Sequence, residues 1–153
     1  MKTQKQITKR VTKKDLSKFL DFKPYKATKG EEYMSKKQII HFKDILQNWK
    51  KLLMQEADKT LDHMKQDSSK LSDPNDAATQ EEEFRLELRT RDRERKLITK
   101  IDQALQRVED GMYGFCEDTG EPIGIKRLEA RPIATLCIEA QERHERLEKI
   151  RIE

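Results

Sequence analysis

The sequence has few residues that break helices or cross-link chains: five glycines, four prolines and two cysteines among 153 residues. Two cysteines cannot build the disulfide framework of small secreted domains, so we expect Cys116 and Cys137 to be reduced. No stretch approaches the roughly 20 apolar residues that a membrane helix needs. The lysine-rich N-terminus also lacks the apolar run of a secretory signal. These absences predict a cytoplasmic protein without a membrane segment.

Apolar residues are scarce as well, at 34% of the chain against 41% charged residues. This is too little apolar material for a thick core, and it favours an extended helical or coiled-coil body. Residues 1–29 hold ten lysines and arginines against two aspartates, a charge of +8, whereas the whole chain carries +4. The rest of the chain therefore carries −4. The high pI belongs to the N-terminal segment and does not indicate that the folded body binds nucleic acid.

Two long helices are predicted to pair as an antiparallel coiled-coil hairpin. Residues 32–70 hold neither proline nor glycine, and apolar residues recur at helical spacing after Ser35, which can serve as an N-cap. We expect a return helix from Pro74, capped by Asp73, to a terminating Gly111. The predicted seam comprises Ile39, Phe42, Ile45, Leu46, Trp49, Leu52, Leu53, Leu61 and Met64 on the first helix and Phe84, Leu88, Ile98, Ile101, Leu105, Val108 and Met112 on the second.

The fold class is therefore mainly α, with a small head and a C-terminal helix added to the hairpin. A turn-rich segment with several glycines follows the return helix and predicts the compact head. Beyond it, Ala140, Leu147 and Ile150 predict an amphipathic helix that packs beside the hairpin base or the head. The predicted domains are a basic segment (1–32, partly disordered or one short helix), the hairpin (33–111, tip at 71–78), a degenerate zinc-finger-like head (112–138) and the C-terminal helix (139–153).

The head carries half of a zinc-binding pattern. Cys116 with Thr119, and Cys137 with Ala140, have the spacing of a CxxC…CxxC module whose second cysteines are replaced. His144 lies seven residues after Cys137, about 10 Å along a helix, and cannot simply replace Ala140. We expect no bound zinc, and a head held by apolar contacts. Those contacts are predicted from Tyr113, Phe115, Ile123, Ile125, Leu128, Ile133 and Leu136.

Charged residues mark two candidate functional regions. Helix capping alone explains acids in a first turn, but Asp73 and Asp76 lie at the tip of a rod of about 50 Å, which can deliver them into a narrow cleft. The return helix also carries many cations, which form either a solvated face or, where Lys100 meets Arg131, an anion site. No nucleophile–base pair or glycine-rich phosphate loop is present, so we do not expect an enzyme. The cations are Arg85, Arg89, Arg91, Arg93, Arg95, Lys96 and Lys100.

Five motifs resemble the DksA/TraR family of bacterial RNA polymerase-binding transcription factors, over about residues 30–140. They are Gly30-Glu-Glu-Tyr-Met34, Asp73-Pro-Asn-Asp-Ala-Ala78, Gln80-Glu-Glu-Glu-Phe84, Arg91-Asp-Arg-Glu-Arg-Lys-Leu97 and Gly124-Ile-Lys-Arg-Leu-Glu-Ala-Arg-Pro132. The resemblance implies that the hairpin enters the secondary channel of RNA polymerase and destabilises open complexes at ribosomal RNA promoters. It further implies modulation of other promoters together with ppGpp, in the stringent response.

The resemblance also assigns roles to single positions. Asp73, Asp76 and Ala78 correspond to the effector tip. Arg89 and Arg93 correspond to a basic face that contacts RNA polymerase. The expected partners are thus bacterial RNA polymerase and ppGpp, and the expected state is a monomer that binds neither a membrane nor specific DNA sequences.

Further positions correspond to the ppGpp site at the interface with polymerase. Lys100 and Arg131 match residues that contact ppGpp, and Leu97 matches a neighbouring position. Gln141 replaces a further basic residue of that site, which puts the strength of ppGpp coupling in doubt. Thr119 and Ala140, finally, match the low-cysteine branch of the family, in which the head folds without zinc.

Two other classes of function compete with this interpretation. A Gre-type transcript-cleavage factor is also a coiled-coil hairpin with an acidic tip that assists magnesium chemistry. The degenerate cysteine module and the Leu128-Glu-Ala-Arg-Pro132 motif favour the DksA family over it. The other alternative is a passive coiled-coil adaptor or a zinc-ribbon DNA binder, and a DNA binder is expected to bind duplex DNA tightly and with strong salt dependence.

Overall fold

A computed structural model of the chain describes residues 22–67 and 74–152. Within these ranges the chain forms four helices, and an isolated bridge between Phe115 and Pro122 is the only β pairing. The mainly helical fold that the sequence predicts is confirmed. None of the described helices is long and apolar enough to cross a membrane. The helices are α1 (Lys36–Asp67), α2 (Pro74–Glu109), α3 (Ile125–Ala130) and α4 (Ile138–Ile152).

Helices α1 and α2 pack against each other as an antiparallel hairpin. Two cross-helix ion pairs define the direction: Lys43 Nζ lies 3.0 Å from Glu109 Oε1, and Lys50 Nζ lies 2.6 Å from Asp102 Oδ1. As the residue number rises on α1, that of its partner falls on α2. The 32 and 36 residues of the two helices correspond to lengths of about 50 Å at about 1.5 Å per residue.

The helix ends follow from local sequence signals. The Ser35 hydroxyl accepts a hydrogen bond from the Gln38 amide, as an N-cap does, so α1 begins where the sequence predicts. At the end of α2, also at the hairpin base, Gly111 has φ +74°. The Met112 amide donates to the Arg107 carbonyl at 2.9 Å, and this Schellman motif terminates α2. The predicted cap of α2, Asp73, lies outside the described residues.

The core lies at the base of the hairpin, where α1 and α2 meet the head. Phe42, Leu46, Ile101 and Leu128 are fully buried there. Burying each such side chain stabilises the fold by about 1.5–3 kcal/mol. The other buried apolar residues are Ile45, Trp49, Leu53, Ala104, Val108, Tyr113, Cys116, Ile123, Ala134, Cys137 and Ala140.

The predicted seam is wrong at three positions. Phe84 and Leu88, nearer the tip, are 47% and 39% exposed, because α1 is the only described element that packs against this part of α2. Met112 is 60% exposed, because it follows the left-handed Gly111 and no longer lies on the helix face. The side chain of Met64 lies outside the described residues.

Residues 22–35, which we call the strap, cross the hairpin base. The rings of Phe22 and Tyr25 lie 6.0 and 5.3 Å from that of His41 on α1. The Tyr25 amide donates to Glu129 Oε1 on α3 at 2.6 Å. The strap therefore ties the base to the head, whereas residues 1–21 of the predicted basic segment lie outside the described residues. The domain boundaries drawn from the sequence remain a prediction.

Helix α4 is attached to the head through its first two turns, by the buried Ala140 and by the contact of His144 Nε2 with Asp118 Oδ2 at 2.6 Å. Ala140 is fully buried, but Leu147 and Ile150 are 58% and 69% exposed. The expectation that this helix packs beside the base or the head is confirmed at Ala140 and wrong at Leu147 and Ile150. Arg143 and His144 occupy the positions that would continue the apolar stripe from Ala140, so no continuous apolar face forms.

Candidate functional site

The hairpin tip holds the first candidate residues. Asp76 lies in the first turn of α2, and Ala78 follows it with an exposed side chain. The side chain of Asp76 and the whole of Asp73 lie outside the described residues, so the predicted effector tip is only partly placed. From Asp76 to Lys100, α2 rises about 36 Å at about 1.5 Å per residue. The tip is thus well separated from the head.

A basic stripe runs along α2, from the middle of the helix toward its end at the hairpin base. It consists of Arg89, Arg93, Lys96 and Lys100, whose steps of four, three and four residues place them on one helix face. All four side chains are exposed. The stripe includes both arginines of the predicted polymerase-contacting face, and that contact remains a prediction.

A pocket of about 480 Å³ lies where the basic stripe meets the head. It brings together Lys100 of α2, Arg131 after α3 and Gln141 of α4, which the sequence separates by up to 41 positions. Leu97 does not line the pocket, since it packs partly buried against the core one turn earlier. The complete lining is Lys100, Gln103, Ala104, Arg107, Glu117, Arg127, Arg131, Ile133, Ala134, Thr135, Leu136 and Gln141.

The pocket contains four cations, of which one is neutralised. Arg107 Nη1 lies 3.0 Å from Glu117 Oε1, and Arg107 Nη2 donates to the carbonyls of Met112 and Phe115 at 3.3 and 2.7 Å. Among the described residues, no carboxylate lies within 4 Å of the charged nitrogens of Lys100, Arg127 or Arg131. These three cations make the pocket suited to a phosphate-bearing anion.

Arg107 and Arg127 are pocket residues that the sequence analysis did not single out. Arg127 lies inside the Gly124–Pro132 motif, and Arg107 lies three residues before the predicted helix end. Neither position carries a local signal for a binding site. The fold brings them to one pocket, although 20 positions separate them in the sequence.

The four zinc-pattern positions lie together in the head. Cys116 and Cys137 are buried and free, the Thr119 hydroxyl lies 3.9 Å from Cys137 Sγ, and Ala140 is fully buried. Burial raises the pKa of the Cys116 thiol, but hydrogen bonds from the Thr119 hydroxyl and from the amides of Cys137, Thr119 and Asp118 outweigh it and lower that pKa to about 6.

These positions do not fit a tetrahedral zinc ion. Such a site takes four nitrogen, sulfur or carboxylate ligands, whereas Thr119 offers a weak hydroxyl and Ala140 a methyl group. His144 is directed to another partner, because its Nε2 lies 2.6 Å from Asp118 Oδ2. Across the described ranges, no group of three or more His, Cys, Asp or Glu side chains is arranged to hold a metal.

Hydrogen bonds join the parts of the head that a metal would otherwise clamp. The Glu117 amide donates to the Thr135 carbonyl at 2.9 Å. The buried Tyr113 hydroxyl donates to the Pro132 carbonyl at 2.7 Å, and burial raises the pKa of Tyr113 far above its ordinary value. Tyr33 of the strap donates to the Gly114 carbonyl at 2.7 Å and accepts from the Gly124 amide at 2.9 Å. The head is therefore held by apolar packing and hydrogen bonds.

Comparisons with known proteins match both parts of the molecule. Residues 38–108 match the family described as DnaK suppressor protein DksA, N-terminal domain, and residues 111–146 match the prokaryotic dksA/traR C4-type zinc finger. An RNA polymerase-binding transcription factor DksA from Caulobacter vibrioides is 52% identical over 126 residues, which are 82% of this chain and 89% of the relative. The protein of the same name from Escherichia coli K12 is 53% identical over 118 residues, 77% of this chain and 78% of the relative.

A solved structure agrees with these matches. Transcription factor DksA2 from Pseudomonas aeruginosa superposes with a TM-score of 0.72 and 38% sequence identity. The superposition covers 87% of this chain and 98% of the solved chain. The hairpin and the head thus share one architecture with that protein.

Proposed function

The chain belongs to the DksA family, and from this premise we propose that it is a transcription regulator that binds RNA polymerase directly. The observation that carries the proposal is the match over 82% of the chain to a relative named for RNA polymerase binding. The proposed role is that of a binding factor and not of an enzyme, acting as a monomer without sequence-specific DNA contacts. Because its partner transcribes in the bacterial cytoplasm, we place the protein there.

The hairpin enters the secondary channel and carries Asp73, Asp76 and Ala78 toward the polymerase active site. The length of α2 supports this, because about 36 Å separates Asp76 from the pocket at the base. Carboxylates near a magnesium-bearing site change its electrostatics without making bonds to it. Arg89 and Arg93, exposed on the basic stripe, contact the polymerase along the shaft. The result is a shorter lifetime of open complexes at ribosomal RNA promoters, and altered output at others.

The pocket at the base receives ppGpp between this protein and the polymerase. Lys100 and Arg131 supply cations there that no described carboxylate neutralises. Leu97, which packs against the core one turn earlier on the same helix, is a neighbouring position of this interface. Such a site couples the regulator to the stringent response, because ppGpp strengthens the complex that it bridges.

The head folds and takes part in the proposed function without bound zinc. The donor set of Cys116, Thr119, Cys137 and Ala140 supplies two thiols where four ligands are needed. We therefore expect elemental analysis of the purified protein to find far less than one zinc per chain. One equivalent of tightly held zinc would contradict this part of the proposal.

The decisive experiment compares open-complex lifetimes at a ribosomal RNA promoter with the native protein and with Asp76→Asn, each with and without ppGpp. The native protein should shorten the lifetime, and ppGpp should deepen the effect. Asp76→Asn should abolish the effect while helix content and polymerase affinity stay nearly intact, since the tip acts by charge. Asp44→Asn, an equal charge change at an exposed position of the base, is the matched control.

Other outcomes point to other functions. A proportional loss of affinity and effect in Asp76→Asn would make Asp76 a binding residue. Polymerase binding without any shortening would exclude the proposed activity. Release of short cleaved RNA from a backtracked complex would then identify a Gre-type cleavage factor, and its absence a passive adaptor.

A further inference from the structure

The pocket holds a third unneutralised cation, Arg127, on the short helix α3. We propose that Arg127 binds a phosphate group of ppGpp and supplies the positive charge that Gln141 does not. This inference rests on the proposed ppGpp site and adds a residue to it. It assigns the pocket three cationic contacts from two elements: Lys100 from α2, and Arg127 and Arg131 from α3 and its end.

The environment of Arg127 leaves its terminal nitrogens available. Its Nε donates to the Leu136 carbonyl at 3.0 Å, which fixes the orientation of the guanidinium group. An arginine that is already oriented loses less conformational entropy when it binds an anion. Arg107 differs, because Glu117 and two backbone carbonyls occupy its terminal nitrogens. Arg107 therefore supports the pocket wall, whereas Arg127 faces a ligand.

Arg127 and Arg131 are also neighbours of like charge. The Arg131 amide donates to the Arg127 carbonyl at 2.8 Å, so one helical turn separates the two residues. Arg131 is the C-cap residue of α3, and both side chains line the pocket, so their like charges repel each other there. A phosphate bound between them removes that repulsion and gains charge-assisted hydrogen bonds. The one carboxylate that lines the pocket, Glu117, already pairs with Arg107.

The test measures the ppGpp concentration that gives half of the maximal shortening of open-complex lifetime, with RNA polymerase and the full chain. Arg127→Ala should raise this concentration about tenfold, as expected for the loss of one hydrogen-bonded ionic contact. Arg127→Lys, which keeps the cation, should raise it less. Adding Gln141→Lys to Arg127→Ala should restore most of the response, because it returns a cation to the same pocket. Lys126→Ala, at an adjacent exposed position outside the pocket, should leave the half-maximal concentration unchanged.

Each outcome decides between the proposals. A native protein that responds to ppGpp, with the same half-maximal concentration in Arg127→Ala, overturns the role of Arg127 and leaves the ppGpp site standing. A native protein that shortens open complexes but ignores ppGpp overturns the site and this inference together. A loss in Arg127→Ala that Gln141→Lys does not restore shows that Arg127 acts only by holding Leu136 in place. Thermal unfolding of each variant checks that the fold is retained.

Discussion

The two ends of the hairpin differ in how they are supported. At the base, the strap, α3 and the start of α4 surround α1 and α2, and Phe42, Leu46 and Ile101 are fully buried. Toward the tip, α1 and α2 contact only each other among the described residues, and Phe84, Leu86 and Leu88 are exposed. Among the described residues, the base therefore holds most of the buried apolar side chains, whereas apolar side chains of the outer hairpin are open to solvent. A hairpin that is anchored at its base can extend its tip into a binding partner.

Truncating one leucine at the base and one in the outer hairpin tests most strongly whether the two ends of the hairpin contribute differently to stability. Leu46→Ala should lower the free energy of unfolding by about 2–5 kcal/mol, because a fully buried side chain leaves a cavity. Leu88→Ala, the matched change in the outer hairpin, should cost about 1 kcal/mol, since Leu88 is already 39% exposed and its removal leaves no enclosed cavity. Urea denaturation measures both values. Equal losses would show that the outer hairpin stabilises the fold as much as the base.

A smaller effect is expected where the strap meets the head. Gly114 has φ +88°, and a Cβ there would lie 2.7 Å from Met34 Sδ. Gly114→Ala should therefore destabilise the fold by about 1–3 kcal/mol, through backbone strain and displacement of Met34. Gly120 also has positive φ, +72°, but a Cβ there meets nothing within 4 Å. Gly120→Ala measures the backbone strain alone, so an equal loss of melting temperature in both variants would exclude a steric role for the strap contact.

The smallest expected effect on stability concerns the carboxyl group of Glu94, in the middle of α2, and it depends on pH. Burial, and then the charge of Glu56, raise the pKa of Glu94, whose Oε2 is buried without a partner among the described residues. A raised pKa in the folded state means that the folded protein binds the proton more tightly, so ionisation of Glu94 costs stability as pH rises through that pKa. Glu94→Gln should therefore stabilise the protein at pH 7, by about 1 kcal/mol or less because the group is partly solvated.

That gain should disappear below about pH 4, where the carboxyl group is protonated in both folded and unfolded chains. Denaturation of both proteins at several pH values measures it. A gain that persists unchanged in acid would mean that Glu94→Gln acts by packing and not by removing a charge.

Local signals predicted most of the secondary structure. Ser35 and Gly111 mark helix ends through hydrogen bonds within a few residues of themselves, and these boundaries are confirmed. The predicted seam fails at Phe84, Leu88 and Met112, because periodicity identifies a helix face and not the elements that cover it. For the same reason the exposure of Leu147 and Ile150 on α4 was not foreseen.

The sequence by itself determined the mainly helical hairpin, the turn-rich head and the incomplete zinc pattern, because caps, glycines, apolar spacing and missing cysteines are all local properties. The sequence motifs also suggested that Lys100 and Arg131 act together. Only the tertiary structure decided that Arg127 joins them and that Arg107 is occupied by Glu117. Both findings depend on contacts between residues that are distant in the sequence. Such contacts produce no periodic pattern in the amino-acid sequence.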